Sequence, residues 1–110
     1  MNITTRTDRN VTIVALAGNL DSNTSPQAQL ALDAMLAGGV TRVAIDFTAL
    51  DYISSAGLRV LLGTAKKLSA KGGALHVFGL NETVREVFDI SGFSTILAVF
   101  RTEAEAVKGF

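Results

Sequence analysis

The sequence predicts one α/β domain: a mostly parallel, mixed β-sheet with an N-terminal β-hairpin and about four helices. Three observations carry that reading. The chain has 110 residues, the length of a single domain, with no linker, repeat or low-complexity segment to divide residues 1–110. Apolar strand-like runs alternate with helical stripes along most of it, and such alternation builds a parallel sheet through right-handed crossovers. Only the first two runs are joined by a short turn, so they form one antiparallel pair.

Each element follows from local signals. Met1 to Thr7 alternates through Met1, Ile3, Thr5 and Thr7 as a modest edge strand, and Asp8, Arg9 and Asn10 supply turn chemistry. Val11 to Ala17 is apolar on both faces, as a strand covered from two sides would be, and Gly18 is read as its end. A polar loop from Asn19 to Thr24 leads to Ser25 as N-cap and Pro26 as first helical residue. Ala28, Leu32, Met35 and Leu36 then share a helical face that Gly38 and Gly39 stop. Arg42 to Phe47 is the next strand. Leu58, Leu61, Leu62, Ala65 and Leu68 form the clearest helical stripe, with Lys66, Lys67 and Lys71 in its later turns and Gly72-Gly73 at its end. Ala74 to Phe78 is a strand, and Asn81 caps a short helix carrying Val84, Val87 and Phe88 that stops near Ser91-Gly92. Ile96 to Phe100 is the last strand, before a short helix opened by Thr102 and Glu103.

Composition narrows the function. Without cysteine, disulfides and thiolate chemistry are excluded, which points to the cytoplasm. His76 is the only histidine, so no multi-histidine metal site can form. Ten Lys+Arg balance ten Asp+Glu, which argues against a nucleic-acid or membrane-surface binder driven by bulk charge. No apolar run approaches the roughly 20 residues of a membrane span. The opening residues lack the apolar core of a signal peptide.

One stretch invites a chemical reading: Tyr52-Ile53-Ser54-Ser55-Ala56-Gly57-Leu58, two hydroxyls between a strand and a helix. Ser55-Ala56-Gly57 is half of a G-x-S-x-G nucleophile elbow, but Ile53 stands where the first glycine belongs. His76, the only imidazole base, falls inside a strand, where a hydrogen-bonded structural histidine is the plain explanation. Neither phosphate-binding glycine motif occurs, so no nucleotide cofactor is implied. Asp46 and Asp51 could form an acid/base pair, but turns and caps use such residues more often. For the serines the plain role is an N-cap, worth about 1 kcal/mol. That explains one hydroxyl and leaves the other, at the carboxyl-side strand edge where α/β folds place their sites.

These residues resemble a known family. The run "IDFTALDYISSAGLRVLL" looks like the signature of STAS domains, specifically the anti-anti-sigma factors, or anti-sigma factor antagonists, of bacterial partner-switching systems. "AGNLDSNTSP" resembles the family's G-x-L-D segment, and "REVFDISGF" resembles its third helix and following turn. The resemblance implies a STAS fold and a regulatory binding module without catalysis or cofactor. It implies an anti-sigma factor that is also a serine kinase of the GHKL type as partner, and a serine phosphatase acting on the phosphorylated form. The protein is then a phosphoprotein of the cytoplasm, released from its partner on phosphorylation and a monomer when free. Anchored on Gly57-Leu58, the family's phosphoserine falls on Ser55, with Ser54 as competing acceptor because it stands where family members often carry aspartate.

The loop and the start of the second helix both lie at carboxyl ends of neighbouring strands, which predicts a partner surface: Asp21, Ser22, Asn23 and Thr24 in the loop, with Ser54, Gly57, Leu58, Arg59 and Gly63 at the helix. Asp21 either positions the Ser55 hydroxyl or contacts the kinase, or it closes its own turn on Asn23 or Thr24. Arg59, four residues after Ser55, either pairs with a phosphate there or stays solvated. A helix N-terminus accommodates a phosphate, while the added charge of about −1.5 to −2 opposes an interface. Two other functions compete: a STAS subunit or ligand-binding module of a lipid-transport or stress-signalling assembly without a phospho-switch, and a small serine hydrolase.

Overall fold

A computed structural model describes residues 1–110. The elements are β1 (Asn2–Asp8), β2 (Val11–Leu20), α1 (Ser25–Ala37), β3 (Arg42–Ile53), α2 (Ser55–Ala70), β4 (Ala74–Phe78), α3 (Glu82–Ser91), β5 (Ala98–Phe100) and α4 (Glu103–Lys108), with a 3-10 turn over Phe93–Thr95. The sheet runs in chain order, β1 antiparallel to β2 and every later pair parallel. The mixed α/β class and its N-terminal hairpin are those expected from the alternation.

Each crossover steps the same way along the sheet, so right-handed connections place α1, α2 and α3 on one face. There Leu32, Leu36, Leu61, Leu68, Val84 and Phe88 merge with Val14, Ile45, Phe47 and Ile53 into the main core. Phe47 and Phe88 meet edge to face with ring centroids 5.9 Å apart, fastening α3 to β3. After β5 the chain crosses to the other face, where Ala106 and Val107 of α4 cover Val11, Ile13, Ala44 and Phe78.

Two strands are longer than their apolar runs. Gly18 does not end β2; its φ of +106° accommodates a register shift against β3, and pairing resumes through Asn19↔Tyr52 and Leu20↔Ile53. A bulge of this kind bends a strand without ending its ladder. β3 likewise continues past Phe47. Asp46, read from sequence as a turn or cap residue, accepts bonds from the Thr48 N–H (2.9 Å) and hydroxyl (2.5 Å) inside the strand. The last strand is shorter than expected. Ile96 and Leu97 still donate their N–H groups back to the Phe93 carbonyl, so pairing starts at Ala98. α1 begins at Ser25, whose hydroxyl donates to the Asp21 carbonyl at 2.5 Å instead of accepting as a cap. Asn81 caps α3 as expected, and Thr102, expected to open α4, is its N-cap.

The seat of α2 is tight. A Cβ at Gly57 would lie 2.8 Å from side-chain atoms of both Ile53 and Leu20 and 2.9 Å from the Leu20 carbonyl oxygen. Gly63, further along, has open space where a Cβ would go. Next to Gly63, Thr64 is fully buried, and its hydroxyl has no hydrogen-bond partner. On the opposite face Arg6 of β1 chelates the Glu103 carboxylate of α4, one of its two bonds being 2.8 Å long. This pairing holds the Glu103 carboxyl below the usual glutamate range.

Three outcomes follow for equilibrium unfolding in urea. Gly57→Ala destabilises the fold by about 1–3 kcal/mol through overpacking, whereas Gly63→Ala stabilises it by about 0.5–1 kcal/mol. Equal effects of the two would mean that the close seat is not real. Thr64→Val stabilises by about 1 kcal/mol, because it removes an unsatisfied buried hydroxyl at nearly constant shape; a loss of that size would mean the hydroxyl is satisfied. A carboxyl with a depressed native pKa contributes stability above its unfolded value, and that contribution disappears as pH falls through the native one. Glu103→Gln therefore lowers stability at pH 7, and the loss shrinks as pH falls through the native pKa of Glu103; a loss that does not change with pH would remove the ion pair as its cause.

Candidate functional site

β2 and β3 leave the sheet side by side. Because Leu20 pairs with Ile53, the segments that follow, Asp21 to Thr24 and Ser54-Ser55, emerge as neighbours at the carboxyl edge. A backbone bond fastens them: the Ser54 N–H donates to the Leu20 carbonyl at 2.9 Å. Ser54 is extended, with φ −98° and ψ 176°, and caps α2 by accepting the Gly57 N–H on its Oγ at 3.4 Å. Its carbonyl accepts the Leu58 N–H at 3.0 Å. All three polar groups of Ser54 are thus engaged.

Ser55 differs in each respect. It is the first residue of α2, its side chain is exposed, and no hydrogen bond within the chain engages its hydroxyl. The first turn of α2 carries no acidic residue, so the positive end of its dipole is not neutralised by the helix itself.

Asp21 closes its own turn. Its Oδ1 accepts the N–H groups of Asn23 (2.9 Å) and Thr24 (3.1 Å), while the Thr24 hydroxyl accepts the Asp21 N–H (2.9 Å) and donates to the Asn19 carbonyl (2.7 Å). It makes no hydrogen bond to Ser55. Of its expected roles the structure shows the turn, which holds the loop in shape beside Ser54. Ser22 and Asn23 at the tip are exposed.

The remaining expected residues divide by burial. Arg59 is exposed and takes part in none of the chain's ion pairs. Gly63 is half-buried. Gly57 and Leu58 face inward, so what they supply is the seat of α2 and not contact area.

Two residues at this edge were not among the expected site residues. Tyr52, the only tyrosine, is 46% exposed just before the junction. Asn81 caps α3 with its Oδ1 on the Val84 N–H (2.8 Å) and also donates its Nδ2 to the Leu50 carbonyl (3.0 Å), tying α3 to the end of β3. The cap was visible in the sequence. The second bond was not, because it spans 31 residues.

His76 cannot serve Ser55. It is buried on the α4 face of the sheet, its Nδ1 bonded to the Ala106 carbonyl at 2.8 Å and its ring stacked on Phe110 with centroids 3.7 Å apart. The sheet separates it from α2, which removes the nucleophile–base pair that a serine hydrolase requires. No group of three or more His, Cys, Asp or Glu side chains is arranged to hold a metal ion. No helix is long and apolar enough to cross a membrane.

Comparison with known proteins agrees with this geometry. Residues 2–106 match the family model described as STAS domain. BtrV of Bordetella bronchiseptica, named as a candidate anti-sigma factor antagonist, is 43% identical over 98 residues, which span 89% of this chain and 84% of that protein. The anti-sigma F factor antagonist of Paenibacillus polymyxa is 32% identical over 100 residues, 90% of this chain and 86% of its own length. Among solved structures, the Bacillus cell fate determinant SpoIIAA in its phosphorylated form superposes with a TM-score of 0.73 at 27% identity, covering 97% of both chains. With a matching model over nearly its full length and relatives of this kind, the chain belongs to the STAS domain family.

Proposed function

We propose that this protein is an anti-sigma factor antagonist switched by phosphorylation of Ser55. The observation that carries the reading is the division of labour at the start of α2. Ser54 is committed to capping, and Ser55 stands exposed with a free hydroxyl. The relatives named as antagonists support the first half of the proposal. A relative solved in a phosphorylated form supports the second.

In this mechanism the unmodified protein binds an anti-sigma factor in the cytoplasm through the Asp21–Thr24 loop and the exposed start of α2. The partner is itself a serine kinase of the GHKL type, and a serine phosphatase restores the binding form. Antagonism is regulatory binding and needs no catalytic group of its own. The Ser55 hydroxyl lies at a helix N-terminus, where unsatisfied N–H groups accept a phosphate at little cost to the fold. The same group places about −1.5 to −2 charges in the contact surface. An uncompensated charge held in an interface costs about 3–5 kcal/mol, which corresponds to several hundredfold or more in affinity.

Incubation with the cognate kinase and ATP, with the site mapped by mass spectrometry, tests this. One phosphate is expected on Ser55 and none on Ser55→Ala. Ser54→Ala is still phosphorylated, although about 1 kcal/mol less stable for loss of its cap. Full phosphorylation of Ser55→Ala at Ser54 would overturn the residue assignment. Ser55→Asp is expected to lose partner binding. Binding indifferent to that change would instead favour a fixed STAS subunit or ligand-binding module.

A further inference from the structure

We infer that Arg59 is the intramolecular partner of a phosphate on Ser55, so that modification both adds charge to this surface and occupies the one cation on the first half of α2. The inference rests on the reading of Ser55 given above. Ser55 opens α2 and Arg59 follows four residues later, which sets their Cβ atoms about 5–6 Å apart on one helical face. Both are exposed. An anionic residue placed N-terminal to a cation at this spacing is the better of the two orders.

Nothing else competes for the guanidinium. The ion pairs of the chain are Arg6–Glu103, Lys67–Asp33 and Arg85–Asp89, and the first turn of α2 has no carboxylate. Nor does another cation of this helix reach the phosphate. Lys66 begins the next basic group about 16 Å along the axis. Lys67 and Lys71 are already bonded, to Asp33 and to the Leu36 carbonyl.

The Ser54 cap raises the importance of Arg59. By taking the Gly57 N–H, it leaves fewer backbone donors for a phosphate at the helix end. A guanidinium supplies what is missing, since its planar fork binds phosphate oxygens in pairs. In the unmodified protein Arg59 is free to meet a carboxylate of the partner; in the phosphorylated protein it is held by the phosphate.

The test uses the full chain with phosphoserine installed at position 55 during translation, so that no kinase is involved. Phosphorus NMR reads the second ionisation of the phosphate, which is ordinarily near 6. With Arg59 present the midpoint is expected about 0.3 unit or more below that of Arg59→Gln, with Arg59→Lys in between. The glutamine variant retains the helix N-terminus, so the comparison isolates the guanidinium. Equal midpoints in the three proteins overturn the inference. A kinase that modifies a different residue would sink the Ser55 reading instead, and the titration distinguishes the two failures because it does not depend on the kinase.

Discussion

The site depends on one close approach, that of the first turn of α2 to the end of β2. The Leu20 carbonyl receives the Ser54 N–H, and a side chain at position 57 would strike the same carbonyl oxygen. Glycine is needed there because it lacks a Cβ, and not for an unusual backbone angle. Leu20 and Ile53, on either side of the approach, are fully buried, so the contact is also a dry one. The pairing of Leu20 with Ile53 brings the Asp21 loop and the start of α2 out side by side, and this approach seats the helix against them. With it they form one continuous surface whose backbone is hydrogen-bonded on both sides.

That seat explains why two serines are present. The helix needs a residue whose main chain can reach Leu20 and whose side chain can turn back to cap, and Ser54 does both. An aspartate in its place would cap as well, but it would set a permanent negative charge beside Ser55. A neutral cap leaves the dipole's positive end open and adds no like-charge repulsion against a phosphate. Ser55, one residue on, lies outside the hydrogen-bonded frame, and only a residue free of that frame can be modified without disturbing it.

Much of this was legible in the sequence wherever the signal was local. The helix-ending glycines at Gly38, Gly39, Gly72 and Gly73, the cap at Asn81 and the helix opening at Thr102 were all read correctly, because each acts on its own few residues. The ends of β2 and β3 were misread because their pairing partners are distant, whereas Ser25 was misread as a cap although its partner, the Asp21 carbonyl, is close in sequence. Gly18 looks like a strand terminus until β3 is beside it, and the polar stretch after Phe47 looks like a loop until β2 pairs with it. Asp21 permitted more than one role, and the turn among them is seen in the backbone N–H groups of Asn23 and Thr24 aimed at its carboxylate. Which serine caps α2 was likewise undecided, since the answer depends on where the Leu20 carbonyl lies.

A switch built on this surface needs no moving part. The Asp21 loop is closed by its own hydrogen bonds, α2 is wedged against Leu20 and Ile53, and Asn81 ties the neighbouring helix to the end of β3. A phosphate on Ser55 would meet a framework already hydrogen-bonded and closely packed, so the proposed switch acts through the charge and hydration of the surface. The face that carries α4 and His76 lies across the sheet from this edge and is held by a separate set of contacts. Packing and the proposed switch thus lie in different places: the sheet and its two apolar faces hold the fold, and one exposed hydroxyl stands on a hydrogen-bonded rim.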